Sequence, residues 1–368
     1  MQIARSLRRP RSSPRLGRRP WLIAASVALA AASLATACSS AASQTDAGAD
    51  SATSTPPTVP TSIPSGLTLR VGDQLGYLQQ SLKVSGQDQN LPYAVDYSAF
   101  VGGPPMLQAF QGDAIDVGFV ASTPLIFAQA AQQKIVGVAG WAPEHSATRL
   151  VAKSDSGISS WADLKGKKVA YQVGTSAESA VLQGLQSADL KLSDITTVNL
   201  PVTQITAALQ GGSADIGVLY EPLTSSFIGQ NPEFAVALKA DEVTDRGAFL
   251  IASEKALADA GVSAAIGDYV QRLVRSTAFA NAHPDAWAQA LYVGEYKLPI
   301  EQGNKLLAAQ GTTTFLQLPG DLIEPQQNLA DLYLANGEIP EKLDVSKQFD
   351  SRYNDIVAQA QAEAKAAS

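Results

Sequence analysis

Two ten-residue stretches of the chain are nearly the same. AFQGDAIDVG runs from Ala109 to Gly118, and ALQGGSADIG runs from Ala208 to Gly217, 99 residues further on. Each ends an amphipathic pattern with a Gln-Gly pair and then continues with an Asp, an apolar residue and a Gly. A repeat at this spacing limits the chain to folds built from two similar halves.

The similarity extends over three consecutive strand–loop–helix units. VGDQLGYLQQSL from Val71 aligns with VAYQVGTSAESA from Val169, and both place Gln-x-Gly directly after a predicted strand. Convergence on common α/β patterning is the alternative. Three matches in order, at nearly one offset, favour a duplicated unit.

Short apolar runs alternate with amphipathic stretches along the chain. The runs predict strands at 67–72, 93–99, 116–121, 134–140, 194–200 and 215–220. The stretches predict helices at 104–112, 124–133 and 203–212. This alternation indicates an α/β fold with two doubly wound lobes and a ligand cleft between them. Residues 254–368 are mostly helical in pattern, and we expect them to pack on lobe one and brace the interface.

The first 37 residues predict an export signal. Seven arginines precede an apolar run from Trp21 to Ala37, and Cys38, the single cysteine of the chain, follows directly. Small residues before a lone Cys resemble a bacterial lipobox, which implies cleavage before Cys38 and a lipid on its sulfur. An ordinary signal peptide with an incidental Cys is the alternative, and the Arg18-Arg19 pair leaves general and twin-arginine export open.

Charge and composition exclude several classes of function. Without residues 1–37, which hold seven Arg and no acid, the 27 basic residues fall to 20 against 34 acidic ones, a net charge of −14. This excludes a basic nucleic-acid-binding surface. One Cys and two His exclude an intramolecular disulfide and disfavour a metal cluster, so we expect no metal and no cofactor.

The domain boundaries follow from composition and from two crossing segments. Residues 38–66 have no aromatic and almost no large apolar residue, which predicts a disordered tether. Segments 147–154 and 246–253 carry the chain from one lobe to the other and back, which allows hinge closure. We therefore predict lobe one at 67–148, lobe two at 149–247, and the completion of lobe one with the C-terminal helices at 248–368.

Ligands of open α/β sheets bind outside the carboxyl ends of the strands, where helix N-termini attract anions. The loops at these positions give the candidate ligand-binding residues Gln74, Tyr77, Gly103, Ser122, Thr123, Gln172, Thr175, Ser176, Thr203, Tyr220 and Glu221. These loops hold no Lys or Arg, so an anion would be held by neutral donors and helix dipoles. For each Ser, Thr or Gly the alternative is a helix cap.

Three acidic residues need separate treatment. Glu221 precedes Pro222 at the end of a strand, and it either grips a cationic group of the ligand or caps the following helix. Asp116 and Asp215, in the repeat, are predicted to be structural acceptors that tie each turn to its sheet.

The motifs FVGGPPMLQAF, DVGFVASTPLIFAQA, WADLKGKKVAYQVGTSAES, QGGSADIGVLYEP and AHPDAW resemble those of ABC-transporter substrate-binding lipoproteins of the aliphatic sulfonate, taurine and nitrate group. The resemblance spans residues 67–345 and implies a type II periplasmic-binding fold. GGPPML and IFAQA are most similar to the aliphatic sulfonate branch. Tyr220 stands where members often have Trp, and the loop after Val173 also differs between members.

The resemblance implies a function without chemistry. We expect a monomeric, lipid-anchored protein on the outer face of the bacterial cytoplasmic membrane that delivers an aliphatic sulfonate to an ABC permease. Taurine, nitrate or another small ligand is the alternative. An enzyme on the same scaffold is disfavoured because the loops lack a Cys nucleophile, a metal cluster and a Ser–His pair. The export signal argues against the sensing half of a regulator.

Overall fold

Two β-sheets, one for each copy of the repeat, form the frame of the protein. A computed structural model of the chain describes residues 58–240 and 247–367, which belong to one unit of the chain. The predicted signal, Cys38 and most of the predicted tether lie outside the described residues. The strands are β1 (Thr68–Gln74), β2 (Ala94–Phe100), β3 (Val117–Ala121), β4 (Ile135–Pro143), β5 (Thr148–Lys153), β6 (Lys168–Tyr171), β7 (Thr196–Asn199), β8 (Ile216–Tyr220), β9 (Phe234–Lys239), β10 (Ala248–Ser253) and β11 (Thr313–Leu316).

The predicted strands and helices of both copies are confirmed, with bounds that differ by at most three residues. The α-helices are α1 (Tyr77–Val84), α2 (Gly103–Gln111), α3 (Ser122–Ala130), α4 (Ser176–Ser187), α5 (Val202–Gln210), α6 (Leu223–Gln230), α7 (Glu254–Ala258), α8 (Ala260–Ala282), α9 (Pro284–Ala288), α10 (Ile300–Gln310), α11 (Ile323–Ala335) and α12 (Asn354–Ala367). A π-helical segment, Gln289–Glu295, follows α9. Short 3₁₀ turns lie at Trp161–Leu164, Leu192–Asp194, Gly320–Leu322, Val345–Gln348 and Ser351–Tyr353.

The two sheets have corresponding strand orders. The first sheet reads β11-β4-β10-β3-β1-β2, and the second, read in the same sense, is β9-β5-β8-β6-β7. In each sheet three parallel strands lie beside one antiparallel strand, which is β10 in the first and β5 in the second. These antiparallel strands are the two predicted crossing segments, so each crossing becomes an inner strand of the sheet that it enters.

The repeated aspartates pin corresponding strands together. Asp116 accepts the N–H of Arg70 on its carboxylate at 2.9 Å, and its own N–H donates to the Arg70 carbonyl at 2.9 Å. Asp215 makes the same pair of bonds with Lys168, at 2.8 and 2.9 Å. Each Asp therefore ties the turn before β3 or β8 to the neighbouring parallel strand. Their predicted structural role is confirmed.

The last glycine of each repeat lets a helix pack directly on the sheet. A methyl group at Gly118 would lie 2.6 Å from Met106 Sδ on α2, and one at Gly217 would lie 2.6 Å from Ile205 Cγ2 on α5. Both distances are too short for a carbon side chain unless the facing side chain or its helix moves. Helix-on-sheet packing thus favours glycine at both positions.

The C-terminal helices pack on lobe one, as predicted. Tyr269 of α8 and Val357 of α12 share a buried core with Leu69 of β1. Tyr333 of α11 packs against Ile126 of α3 and also joins the cluster that contains Leu182 of α4 in lobe two. This last cluster braces the two lobes. β11, which the helical pattern did not predict, adds an antiparallel edge strand beside β4.

The packed chain begins earlier than the predicted boundary at residue 67. Val59 and Ile63 lie against the core of lobe one, and a methyl group at Gly261 of α8 would lie 2.6 Å from Pro64 Cδ. The last part of the predicted tether is therefore part of the fold. In residues 58–240 and 247–367, every helix is too short or too polar to cross a bilayer.

Candidate ligand-binding cleft

A cavity of 260 Å³ is lined from both sheets and from the C-terminal helices. Lobe one contributes Gln74 at the end of β1 and Ala121 at the end of β3. Lobe two contributes Gln172, directly after β6, and Tyr220 at the end of β8. The cavity thus lies at the carboxyl ends of the parallel strands, where the loops of an α/β sheet bind ligands.

The structure brings together eight of the eleven predicted site residues: Gln74, Tyr77, Gly103, Gln172, Thr175, Ser176, Tyr220 and Glu221 line the cavity. The other three lie elsewhere. Ser122 and Thr123 are 3 % and 1 % exposed, and the Thr123 hydroxyl shares a hydrogen bond of 3.1 Å with that of Tyr333, because the first turn of α3 faces α11. Thr203 is exposed on α5, and its neighbour Val202 lines the cavity instead.

Thr175 organises the loop of lobe two. Its hydroxyl donates to the Gln172 carbonyl at 2.7 Å and accepts the Ala177 N–H at 3.3 Å as the N-cap of α4. The Tyr220 hydroxyl donates to Thr175 Oγ1 at 3.0 Å and accepts the Ala177 N–H at 2.9 Å. The Thr175 proton, predicted as a donor to the ligand, is therefore used inside the protein, and Thr175 acts as a positioning residue.

Free donors remain around this loop. Gln172 accepts the Val202 N–H on Oε1 at 3.2 Å, which fixes its amide and leaves Nε2 to donate. A methyl group at Gly102 would lie 3.5 Å from Gln172 Oε1, so this side chain reaches the opposite lobe. At the start of α4 the Ala177 N–H is used by Thr175 and Tyr220 and the Glu178 N–H by the Thr175 carbonyl, which leaves the Ser176 N–H as the amide available to an anion.

Gly103 has a packing role that the sequence did not reveal. A methyl group there would lie 2.4 Å from Pro124 Cγ, so glycine is required where α2 approaches α3. Because α2 starts at Gly103 and the next two residues are prolines without an N–H, Gly103 is also the first backbone donor of that helix. Glycine at this position therefore both allows α2 to pack against α3 and supplies a backbone donor.

On lobe one, two polar side chains near the cavity are already hydrogen-bonded within the protein. Asp73 accepts the N–H groups of Leu78 and Gln79 at 2.9 and 3.0 Å, so the N-terminus of α1 is already occupied by a carboxylate. Burial raises the pKa of Asp73 to about 6. The Gln74 amide donates to the Phe119 carbonyl at 2.5 Å, which leaves its Oε1 as an acceptor.

A second buried carboxyl supports the loop of lobe two. Glu178, in the first turn of α4, is 0 % exposed, and its Oε2 accepts the Gly174 N–H at 2.9 Å. Its Oε1 is buried and, within the described chain, has no hydrogen-bond partner. Burial, with a smaller contribution from the nearby carboxylate of Glu338, raises the pKa of Glu178 to about 7.

An aromatic wall from the C-terminal region closes the cavity, and sequence reasoning missed it. Trp287, Tyr292 and Tyr296 line the cavity, and the Tyr77 and Trp287 rings meet edge to face with centroids 5.5 Å apart. The Tyr296 hydroxyl donates to the Leu75 carbonyl at 2.8 Å and so fixes this wall to lobe one. Three large aromatic residues within 287–296 were the available signal, in a segment expected only to brace the lobes.

Glu221 is the one carboxylate among the described residues that line the cavity, and none of them is a Lys, Arg or His. Its Oε2 accepts the Ser225 N–H at 3.1 Å in the first turn of α6, a contact of the kind expected from the capping alternative. In the part of the chain that the structure describes, no group of three His, Cys, Asp or Glu side chains could hold a metal ion.

Known proteins resemble this chain in sequence and in fold. An Escherichia coli (strain K12) protein named for binding aliphatic sulfonates is 29 % identical over 286 residues, which are 76 % of this chain and 88 % of that protein. The crystal structure of the periplasmic aliphatic sulphonate binding protein SsuA from Escherichia coli matches with a TM-score of 0.68 and 28 % identity, over 79 % of this chain and 99 % of the other. The alkanesulfonate-binding protein SsuA from Xanthomonas axonopodis pv. citri matches with a TM-score of 0.70 and 24 % identity, over 78 % and 99 %. The predicted periplasmic-binding fold is confirmed.

The fold alone does not distinguish a binding protein from an enzyme. The desulfurization enzyme DSZB matches with a TM-score of 0.55 at 13 % identity, over 81 % of this chain and 99 % of the other. The sequence profile of the NMT1/THI5-like family matches residues 101–287, just over half of the 368 residues. This range begins two residues before α2 and ends at Trp287, and so includes the cavity residues of lobe two and part of those of lobe one. The chain therefore belongs to the NMT1/THI5-like family.

Proposed function

We propose that this chain is an exported, lipid-anchored, monomeric solute-binding protein that captures a small organic anion, an aliphatic sulfonate, and delivers it to an ABC importer. The observation that carries the proposal is the likeness to the Escherichia coli protein named for aliphatic sulfonates, which extends over most of both chains. The cavity agrees with it in chemistry, because neutral donors and helix N-termini lie on one side and aromatic rings on the other.

The sulfonate group is held by Gln172 Nε2 and by the backbone N–H groups of Ser176 and Gly103, the first residues of α4 and α2. The Ser176 hydroxyl, which donates to the Tyr220 hydroxyl at 3.4 Å, joins them by turning toward the ligand. A hydrogen bond to a charged group contributes about 1.5–3 kcal/mol. A few such bonds cover the roughly 8 kcal/mol of a micromolar complex once the costs of association are included. The carbon chain lies against Tyr77 and Trp287, whose rings present apolar surface to the cavity.

Calorimetry of the purified protein tests the proposal with ethanesulfonate, taurine, nitrate and sulfate. We expect ethanesulfonate to bind with a micromolar dissociation constant and sulfate to bind more weakly. Mass spectrometry of the ligand after incubation should return it unchanged, since the described residues that line the cavity include no Cys, and no His to activate a hydroxyl. A neutral ligand that binds where no sulfonate does would contradict the anion assignment, and turnover would favour the enzyme alternative.

Taurine tests the second role predicted for Glu221. Its Oε2 caps α6, and its side chain also lines the cavity, so Oε1 is available to an amine. If Glu221 reads the ammonium group, taurine binds more tightly than ethanesulfonate, and Glu221→Gln abolishes that preference. If taurine and ethanesulfonate bind with equal affinity to the wild type, and also to Glu221→Gln, Glu221 has the capping role alone.

Anchoring through Cys38 is tested separately, because it concerns residues outside the described range. The seven arginines, the apolar run and the lone Cys support cleavage before Cys38 and lipid on its sulfur. Cys38→Ala should release the protein from the membrane fraction or leave the precursor uncleaved. A Cys38→Ala protein that is still processed normally and membrane-bound would refute the lipid anchor.

A further inference from the structure

The Tyr292 side chain is almost fully buried, yet its hydroxyl has no hydrogen-bond partner within the described chain. Tyr292 is 5 % exposed and packs in one cluster with Trp287 and Leu291. Its hydroxyl is not among the unpaired polar atoms of the described residues that are sealed from water. Because Tyr292 lines the cavity, this hydroxyl is open to the cavity and available to a ligand.

Two other tyrosines of the same cavity differ in this respect. The Tyr220 hydroxyl donates to Thr175 Oγ1 at 3.0 Å, and the Tyr296 hydroxyl donates to the Leu75 carbonyl at 2.8 Å. Buried polar groups of folded proteins are nearly always hydrogen-bonded. The unused hydroxyl of Tyr292 therefore points to a ligand group that supplies the missing partner.

Glu221 presents a free acceptor to the same cavity. Its Oε2 accepts the Ser225 N–H, which leaves Oε1 to a ligand. Burial raises the pKa of Tyr292, with smaller contributions from the Tyr77 hydroxyl and the Glu221 carboxylate. Tyr292 therefore keeps its proton at neutral pH and is a donor within electrostatic reach of Glu221. In the described structure no hydrogen bond joins this donor to this acceptor.

A hydroxyl group matches this pair better than other small end groups do. It can accept a hydrogen bond from Tyr292 and donate one to Glu221, whereas an ammonium group only donates and a methyl group does neither. A methyl group in this place would exclude water and leave both protein groups unpaired, which costs free energy.

The volume of the cavity restricts the length of the ligand. At 260 Å³ it is smaller than the roughly 300–1,000 Å³ of most small-molecule sites. Trp287, Leu291 and Tyr292 all line it and pack together in one buried cluster, so this wall is closed. A short carbon chain therefore suits the cavity, and a long one does not.

We propose that Tyr292 and Glu221 together select short sulfonates whose carbon chain ends in a hydroxyl group, with 2-hydroxyethanesulfonate as the probe. This inference rests on the proposed function, because it places the sulfonate on Gln172 and Ser176. The ligand hydroxyl accepts a hydrogen bond from Tyr292 and donates one to Glu221 Oε1. Tyr292 is thus a specificity-determining residue of the cavity.

The experiment is calorimetry with propanesulfonate, 2-hydroxyethanesulfonate and taurine, three ligands of nearly equal size that end in a methyl, a hydroxyl and an ammonium group. We expect the wild type to bind 2-hydroxyethanesulfonate about tenfold more tightly than propanesulfonate, the contribution of one hydrogen bond to a charged group. Tyr292→Phe should reduce this preference to less than about threefold, because it removes the donor and keeps the ring.

Tyr296→Phe is the matched control, since Tyr296 lines the same cavity but uses its hydroxyl within the protein. The Tyr296→Phe protein should keep the preference for 2-hydroxyethanesulfonate. Thermal unfolding checks the assignment of the two hydroxyls. Tyr296→Phe should lower the melting temperature because it loses a hydrogen bond, and Tyr292→Phe should not.

Equal binding of 2-hydroxyethanesulfonate and propanesulfonate would overturn the inference, as would a preference that both variants reduce alike. A preference for taurine over 2-hydroxyethanesulfonate that Tyr292→Phe does not change would also overturn it, in favour of Glu221 alone. In each of these cases the binding of propanesulfonate leaves the proposed function standing. If none of the three sulfonates binds, the proposed function and this inference fail together.

Discussion

Replacement of Glu178 by Gln should remove a large part of the pH dependence of stability. Glu178 is 0 % exposed, with one oxygen on the Gly174 N–H and the other unpaired within the described chain. Its pKa rises from the ordinary 4.5 to about 7, mainly because burial penalises the charged form. The titratable groups around it are the hydroxyls of Tyr171, Tyr220 and Tyr333 and the carboxyl of Glu338.

The sign and the size of the effect follow from linkage. Because the folded pKa lies above the unfolded one, the folded chain holds the proton more tightly. The resulting stability is fully present below pH 4.5 and is lost as the pH rises to about 7. The two values are about 2.5 pH units apart, and at about 1.36 kcal/mol per unit the loss amounts to about 3 kcal/mol.

Glu178→Gln keeps the shape of the side chain and cannot ionise. Relative to the wild type, the variant should therefore gain about 3 kcal/mol in free energy of unfolding between pH 4 and pH 8. Asp73, whose pKa is raised to about 6, acts alike in both proteins and cancels in the comparison.

Urea unfolding of both proteins at several pH values in this range measures the effect. Glu338→Gln is the matched control, since it removes a neighbouring, partly exposed carboxyl and should alter the pH dependence by no more than about 0.5 kcal/mol. A difference between Glu178→Gln and wild type that stays constant from pH 4 to pH 8 would refute the reasoning.

Two further predictions concern lobe two. Thr175→Val removes the N-cap of α4 and the partner of the Tyr220 hydroxyl, so it should cost about 2 kcal/mol of stability and weaken sulfonate binding about tenfold. A double-mutant cycle with Tyr220→Phe, read by urea unfolding, should show a coupling of at least about 0.5 kcal/mol, and strict additivity would argue against the observed hydroxyl network. Gly184→Ala places a methyl 2.1 Å from the Trp161 ring and should lower the melting temperature by several degrees, at a cost of about 1–3 kcal/mol. Gly229→Ala on α6, where nothing lies within 4 Å, is the control and should be neutral or stabilising; equal melting temperatures for the two variants would contradict the packing.

The duplicated frame could be predicted from the sequence because both repeated features have local causes. Asp116 and Asp215 satisfy a backbone donor at the start of a strand, and Gly118 and Gly217 make room for a helix on the sheet. Each of these local contacts favours one residue type at one position. Both copies therefore have the same residues there, and the repeat can be recognised in the sequence. The strand β11 was missed, because its four residues become a strand only by pairing with the edge of β4.

The cavity was predicted less completely, for two physical reasons. Trp287 and its neighbours reach the site only after the C-terminal helices dock, and no local pattern encodes that docking. The direction of a first-turn side chain is equally invisible, since Thr123 bonds with Tyr333 and Thr203 faces solvent although both follow a strand at the correct edge. The position of the loops at the strand ends predicted which segments form the walls of the cavity. Tertiary contacts determine which of their side chains remain available to a ligand.

The position of β10 has a consequence for the order in which the protein assembles. The five strands of the second sheet, β5 to β9, are contiguous in the chain, between Thr148 and Lys239. β10 is made later, yet it lies between β3 and β4 of the first sheet. During synthesis from the N-terminus the facing edges of β3 and β4 therefore stay unpaired, and open to wrong pairing, until residues 248–253 emerge. The lobe that the ribosome begins first is the one that is completed last.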